Sequence, residues 1–374
     1  MKTANIFRKT LALVSAALMT LTLAACSSQA PAATAAPAAE SAAPVESAAP
    51  AESAAAEETP AEAGKIYKVG IVKYVDDASL DQIEQSIQAE LDKKGAELGV
   101  TFDYADYTKN GQADSTTLNQ IAADLIADGV DVIIPIATPA ALIMQAATEE
   151  NAIPVVFSAV SDPVGAGLVD SLEVPGSNIT GTSDALNVEA VIDLMLAANP
   201  DLKKLGLLYD QGQDASKSAI AAAKAYCETK GIETVEKTGT TNDELALAAD
   251  ALIAAKVDAV FTPTDNTVMT AELAIYEKFV DAKIPHYAGA DSFALNGAFC
   301  GYGVNYVTLG TSTADIAVDV LVNGAQPAST PVQIMSSGIA TVNTEVSSAI
   351  GLDYSAFASL CEELKETITQ ESFN

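Results

Sequence analysis

Short apolar runs alternate with amphipathic segments along most of this chain, and the alternation restarts after about 130 residues. Tyr67-Lys68-Val69-Gly70-Ile71-Val72 reads as a buried strand. Leu80, Ile83, Ile87 and Leu91 follow on one helical face, and Ser79 and Gln82 have capping-box spacing at its start. Leu118, Ile121 and Leu125 mark a second helix, and Val130-Asp131-Val132-Ile133-Ile134-Pro135-Ile136 a second strand. Thr138-Pro139 starts a third helix as N-cap and first-turn proline, and Pro154-Val155-Val156-Phe157 is the next strand. The second half has matching landmarks in the same order. Leu205 to Tyr209 echoes Val69 to Lys73, and Val257 to Phe261 echoes Val130 to Ile134. Thr264 to Thr267 stands where Thr138-Pro139 stood, and Ile284-Pro285 where Ile153-Pro154 did. Such alternation implies parallel sheets covered by helices on both faces, and the repeat implies two lobes of one α/β design.

In open parallel sheets, ligands sit beyond the carboxyl ends of the strands. Two facing lobes place both sets of strand-end loops in one cleft. The loops concerned are 74–79, 137–141, 158–163 and 183–184 in the first half. In the second half they are 209–214, 264–267, 291–293 and 305–306.

The start of the chain has a different composition. Lys2, Arg8 and Lys9 precede an apolar run from Leu11 to Leu23, the layout of a signal peptide over residues 1–25. Leu23-Ala24-Ala25-Cys26 closes it and resembles the lipobox of bacterial lipoproteins, which implies that Cys26 carries lipid. Residues 26–64 are then nearly all Ala, Pro, Ser and Glu, with no apolar periodicity, so they read as a disordered tether. A flexible linker of that length spans about 30–40 Å. The net charge of −31 argues against nucleic acid and against adsorption on anionic lipid. Cys227, Cys300 and Cys361 are too few and too scattered for a disulfide framework.

Several strings carry a family resemblance. They are Val-Gly-Ile-Val-Lys-Tyr-Val (69–75), Ala-Thr-Pro-Ala-Ala (137–141), Phe-Ser-Ala-Val-Ser-Asp-Pro-Val-Gly-Ala-Gly-Leu-Val (157–169), Asn-Ile-Thr-Gly-Thr-Ser-Asp-Ala (178–185) and Pro-Thr-Asp-Asn-Thr-Val (263–268). Over about residues 66–353 the chain resembles the substrate-binding lipoproteins of an ABC importer family whose members bind tryptophan, tyrosine or phenylalanine. The resemblance implies a type I periplasmic-binding-protein fold, with two doubly wound parallel-sheet lobes joined by a hinge that close on ligand. It places lobe 1 at 65–185 plus about 307–324, and lobe 2 at 186–306 plus about 325–374. It also implies a monomer on the outer face of a Gram-positive membrane, serving an ABC permease and ATPase. One departure falls at the cleft: family members often have His or a Pro-containing sequence where this chain has Asp76-Asp77-Ala78-Ser79.

An amino acid offers a carboxylate, an ammonium and a side chain. A helix N-terminus suits the carboxylate, so Thr138 and the amides of Ala140 and Ala141 are candidates, with Ser158 as a neighbouring donor. Thr138 can equally cap its helix. Asp162, Asp184, Asp265 and Asp291 end strands and could accept from an ammonium, although Asp265 and Asp291 also suit N-caps. Ser79, Asn266 and Thr267 add polar groups at the same helix starts. Tyr74, Phe157, Tyr209, Phe293 and Tyr306 could wall an apolar side chain or simply pack.

Nothing in the sequence points to catalysis. His286 is the only histidine and opens a strand. No metal-ligand spacing, phosphate loop or nucleophile elbow is present, and no cofactor is expected. The expected function is capture of an aromatic or branched amino acid for import. The alternatives are a nucleoside- or sugar-binding protein, or a lipid-anchored sensor domain.

Overall fold

The computed structural model describes residues 64–370, so the signal segment, Cys26 and the tether up to residue 63 lie outside the described residues. The first lobe runs β1 (Ile66–Lys73), α1 (Ala78–Leu98), β2 (Thr101–Asp103), β3 (Thr108–Asn110), α2 (Ser115–Asp128), β4 (Val132–Ile136), α3 (Thr138–Thr148), β5 (Val155–Phe157) and β6 (Ile179–Ser183). The second runs α4 (Val188–Ala198), β7 (Lys204–Tyr209), α5 (Asp214–Lys230), β8 (Glu233–Thr238), α6 (Asn242–Ala254), β9 (Ala259–Thr262), α7 (Asn266–Ala282), β10 (His286–Ala288), α8 (Asp291–Leu295) and β11 (Cys300–Gly303). The chain then returns to lobe 1 through α9 (Tyr306–Val322) and β12 (Gln333–Ile334). It ends in lobe 2 with β13 (Ile339–Asn343), α10 (Thr344–Ile350) and β14 (Glu363–Thr367).

The first sheet has the order β12-β6-β5-β4-β1-β2, with β3 also beside β1, and the second β14-β13-β11-β10-β9-β7-β8. All pairings are parallel except β11 with β13. The lobes are joined by the three crossings β6 to α4, β11 to α9 and β12 to β13. No described helix is long and apolar enough to cross a membrane.

Two expectations need correction. Lobe 2 does not resume at about residue 325, because Gln333 and Ile334 still pair with Thr182 and Ser183 of β6. The segment after Tyr354 reads as a surface helix from Leu360 and Leu364. It is instead a 3-10 turn, Ser355–Ser359, followed by the edge strand β14, with Leu364 opposite Ala340 and packed on the lobe 2 core. A two-residue pattern in so short a segment cannot distinguish the periods, and an available sheet edge decides it.

The periodic faces are what the lobes bury. Val69 and Ile71 of β1 and Ile83, Ile87 and Leu91 of α1 are fully buried. Each such side chain contributes about 1.5–3 kcal/mol relative to exposure. Helix α9 lies directly on α1, and a Cβ at Gly310 would stand 2.6 Å from the carbonyl oxygen of Ile83. Gly310 thus allows the close approach that fixes the returning helix in lobe 1. His286 belongs to the lobe 2 core: its Nδ1 is 2.9 Å from Glu272 Oε1 and its Nε2 2.8 Å from Thr262 Oγ1. Thr262 Oγ1 in turn lies 2.9 Å from the Leu208 carbonyl oxygen, so both ring nitrogens of His286 are engaged within the core.

Candidate functional site

Strand-end loops from both lobes enclose a cavity of about 20 Å³. From lobe 1 it is lined by Ser79 and Leu80 at the start of α1, Ala137 and Thr138 at the start of α3, Ala159 and Ser161 after β5, Asp184 after β6, and Tyr306 at the start of α9. Lobe 2 contributes Ala215, Thr264, Asn266, Met269 and Ala290. A second cavity of about 360 Å³ shares Ser161, Ala215 and Thr264 and is walled by Pro163, Val164, Leu172, Leu186, Ala219 and Ala222 among others.

Two kinds of polar group line the enclosed cavity. Thr138 is the first residue of α3, and the N-cap is Ala137, at φ 80° and with no capping side chain. The Thr138 hydroxyl is therefore not a cap; it is buried and has no hydrogen-bond partner. Amides in the first turn of a helix lack intrahelical acceptors, so this end presents donors and partial positive charge. The second polar group is the Asp184 carboxylate. It accepts from Ser161 Oγ at 2.9 Å, and burial pushes its carboxyl up to about 6. Tyr306 is also buried, and its phenol is pushed well up, first by burial and then by the charges of Asp184, Asp291 and Asp77. No lysine, arginine or histidine is among the lining residues. The lining thus combines a carboxylate with the donors of a helix start.

Of the candidate residues, Ser79, Thr138, Asp184, Asn266 and Tyr306 come together here. The others do not line the cavity. Ala140 lies in the first turn of α3 with its methyl in the lobe 1 core. The Ala141 amide is already bonded to the Ala137 carbonyl. Ser158 shares a hydrogen bond of 2.8 Å with Thr313 of α9. Asp162 accepts from the Gly165 amide and lines the second cavity. Tyr209 points away from the cleft and donates to Glu236. Thr267 donates to Asp210. Phe157 and Phe293 are fully buried core residues, so no aromatic wall but Tyr306 remains. Tyr74 is partly buried, and its hydroxyl reaches the Gln213 side chain, which also accepts from Asn266 Nδ2.

Asp265 is the N-cap of α7, and four donors saturate it: the amides of Thr267, Val268 and Asp210, and Ser216 Oγ. Asp291 is not a cap, because Ala290 holds that position; its carboxylate accepts from Ser79 and Gln82 of lobe 1. The cap of α1 is likewise Asp77, not Ser79. Leu80, Ser161, Ala215, Met269 and Ala290 line the cavity without standing out in the sequence. Small or apolar residues at a strand end or one turn into a helix look like ordinary packing.

Residues 68–358 match the family of ABC transporter substrate binding proteins. A tyrosine-binding protein of Clostridioides difficile is 31% identical over 293 residues, 78% of this chain and 83% of that one. A Streptococcus pneumonia ABC domain in complex with L-Trp superimposes with a TM-score of 0.74 at 30% identity, over 80% of this chain and all of that one. The ligand-free, open structure of a Clostridium difficile substrate binding protein gives 0.62 at 32% identity, over 81% of this chain and all of that one. The two lobes are those of a type I periplasmic binding protein, and the chain belongs to the ABC transporter substrate-binding proteins.

Proposed function

We propose that the chain captures an α-amino acid with an aromatic or branched side chain between its lobes and hands it to an ABC permease and ATPase. The carrying observation is the polarity of the cavity. A carboxylate at Asp184 suits an ammonium, and the bare N-terminus of α3 with its free Thr138 hydroxyl suits a carboxylate. Leu80, Met269 and Ala290 give the walls apolar character, and the neighbouring cavity offers room for a larger side chain. At about 20 Å³ the enclosed space holds little more than one water. A lodged amino acid therefore displaces lining side chains, with the neighbouring cavity beside them, and binding is coupled to rearrangement at the cleft. The relatives that bind tyrosine and L-Trp support this ligand class. Calorimetry against the common amino acids is the test: L-tyrosine, L-tryptophan or a branched homologue gives saturable heat, and silence across the panel refutes the reading.

The lipobox-like Leu23-Ala24-Ala25-Cys26 supports anchoring through lipid on Cys26 at the outer membrane face, with the Ala/Pro/Ser/Glu stretch as the leash. Cys26→Ser then leaves the protein unprocessed or releases it to the medium, with ligand binding intact.

A further inference from the structure

We propose that Asp291, Ser79 and Gln82 form a clasp between the lobes that sets how much of the protein is closed, and through it the affinity for every ligand. The proposal rests on the reading that the ligand is held between the lobes. Asp291 opens α8 in lobe 2, and both of its carboxylate oxygens are held by lobe 1. Ser79 Oγ donates to Oδ1 at 2.5 Å, and Gln82 Nε2 donates to Oδ2 at 3.3 Å. Ser79 Oγ in turn accepts from the Ser292 amide at 3.2 Å. Asp77, beside Ser79 in sequence, faces the Ser292 hydroxyl from lobe 1. The start of α1 and the start of α8 therefore each bring an Asp and a Ser to the other.

Neither Asp291 nor Gln82 lines the ligand cavity. Every bond of the clasp has its donor on one lobe and its acceptor on the other, so all of them break together when the lobes part. Interactions made only in the closed form raise its population. Apparent affinity scales with that population whatever the ligand. The start of α1, from Asp77 to Gln82, is thereby the lobe 1 half of the clasp.

The test uses the full-length protein with Asp291→Ala and Gln82→Ala. Calorimetry with L-tyrosine and with L-tryptophan reads affinity, small-angle scattering without ligand reads the radius of gyration, and thermal melts check folding. Asp291→Ala is expected to weaken both amino acids by the same factor, about ten-fold for a charge-assisted hydrogen-bonded group. It is also expected to increase the radius of gyration. Gln82→Ala, on a partly exposed helix face, moves both readouts the same way by less, and carries the decision should Asp291→Ala fail to fold. Unchanged affinity and unchanged scattering overturn the clasp. So does a loss confined to one amino acid, which would place Asp291 against the ligand. If neither amino acid binds the unaltered protein, the ligand reading fails, and the scattering of the variants still decides the clasp.

Discussion

The helix starts after β4 and after β9 occupy matching places in the two lobes, and they have opposite fates. In lobe 1, α3 begins with no capping side chain and a buried Thr138 hydroxyl that bonds to nothing. In lobe 2, α7 begins with Asp265, whose carboxylate accepts from four donors of its own lobe. One terminus keeps its hydrogen-bonding capacity open toward the cleft, and the other consumes it internally. Duplicated architecture thus supplies two equivalent anion-seeking ends, and a single residue decides which remains available to a ligand. The proposed amino-acid ligand is accordingly expected to place its acid toward lobe 1.

The largest effect expected from this contrast is structural. Asp265→Ala removes the cap of α7 and leaves three amides and the Ser216 hydroxyl without their shared acceptor. The expected loss is about 3–4 kcal/mol of unfolding free energy, from a lost cap plus buried unpaired donors. Urea denaturation reads it, and the fall in ligand affinity should be no greater than that loss explains. A variant that melts normally but no longer binds would make Asp265 a ligand contact and erase the contrast.

Asp184 sharpens the contrast from the ligand side, because it lacks the partners that Asp265 has. Burial holds its carboxyl at about 6, as it does that of Asp265, above the ordinary 3.8, so the folded form binds this proton more tightly than the unfolded chain does. The corresponding stability is fully present below about pH 4 and is lost as pH rises through about 6. Asp184→Asn should therefore gain about 2–3 kcal/mol at pH 7 relative to the unaltered protein and lose that part of the pH dependence. The same change should weaken amino-acid binding, since the ammonium loses its charged acceptor. Denaturation series at pH 4 and pH 7 check the first half, and calorimetry the second. A variant that is less stable at pH 7 would mean that Asp184, like Asp265, serves its own lobe.

Much of the lobe pattern was legible because it is periodic. The apolar faces of β1, α1 and β4 and their echoes in β7 and β9 are local signals, and their order reveals the duplication. The site was legible only as a set of strand-end loops. Within those loops, partners distant in sequence decide the roles, as Ser79 and Gln82 illustrate. Their spacing is that of a capping box, yet the cap is Asp77, and both side chains are engaged by Asp291, more than 200 residues away. Ser158 and Tyr209 stand at the right strand ends, but Thr313 and Glu236 engage them elsewhere. Met269 and Ala215 carry no polar signal at all, and only the closure of one lobe on the other makes them cavity walls.

The smallest expected effect is the most direct probe of the open terminus. Thr138→Val keeps the shape of the side chain and deletes only the hydroxyl. Because that hydroxyl is buried without a partner, its removal relieves a desolvation cost, so stability should hold or rise slightly. Binding should behave differently. If the hydroxyl and the neighbouring amides receive the ligand's carboxylate, one hydrogen bond to a charged group disappears, and the dissociation constant for L-tyrosine or L-tryptophan should rise about ten-fold. An amino-acid amide, whose neutral terminus gains less from the helix end, should lose less than the parent acid does in the same variant. Equal losses for acid and amide would detach the α3 terminus from the carboxylate and make the two helix starts alike after all.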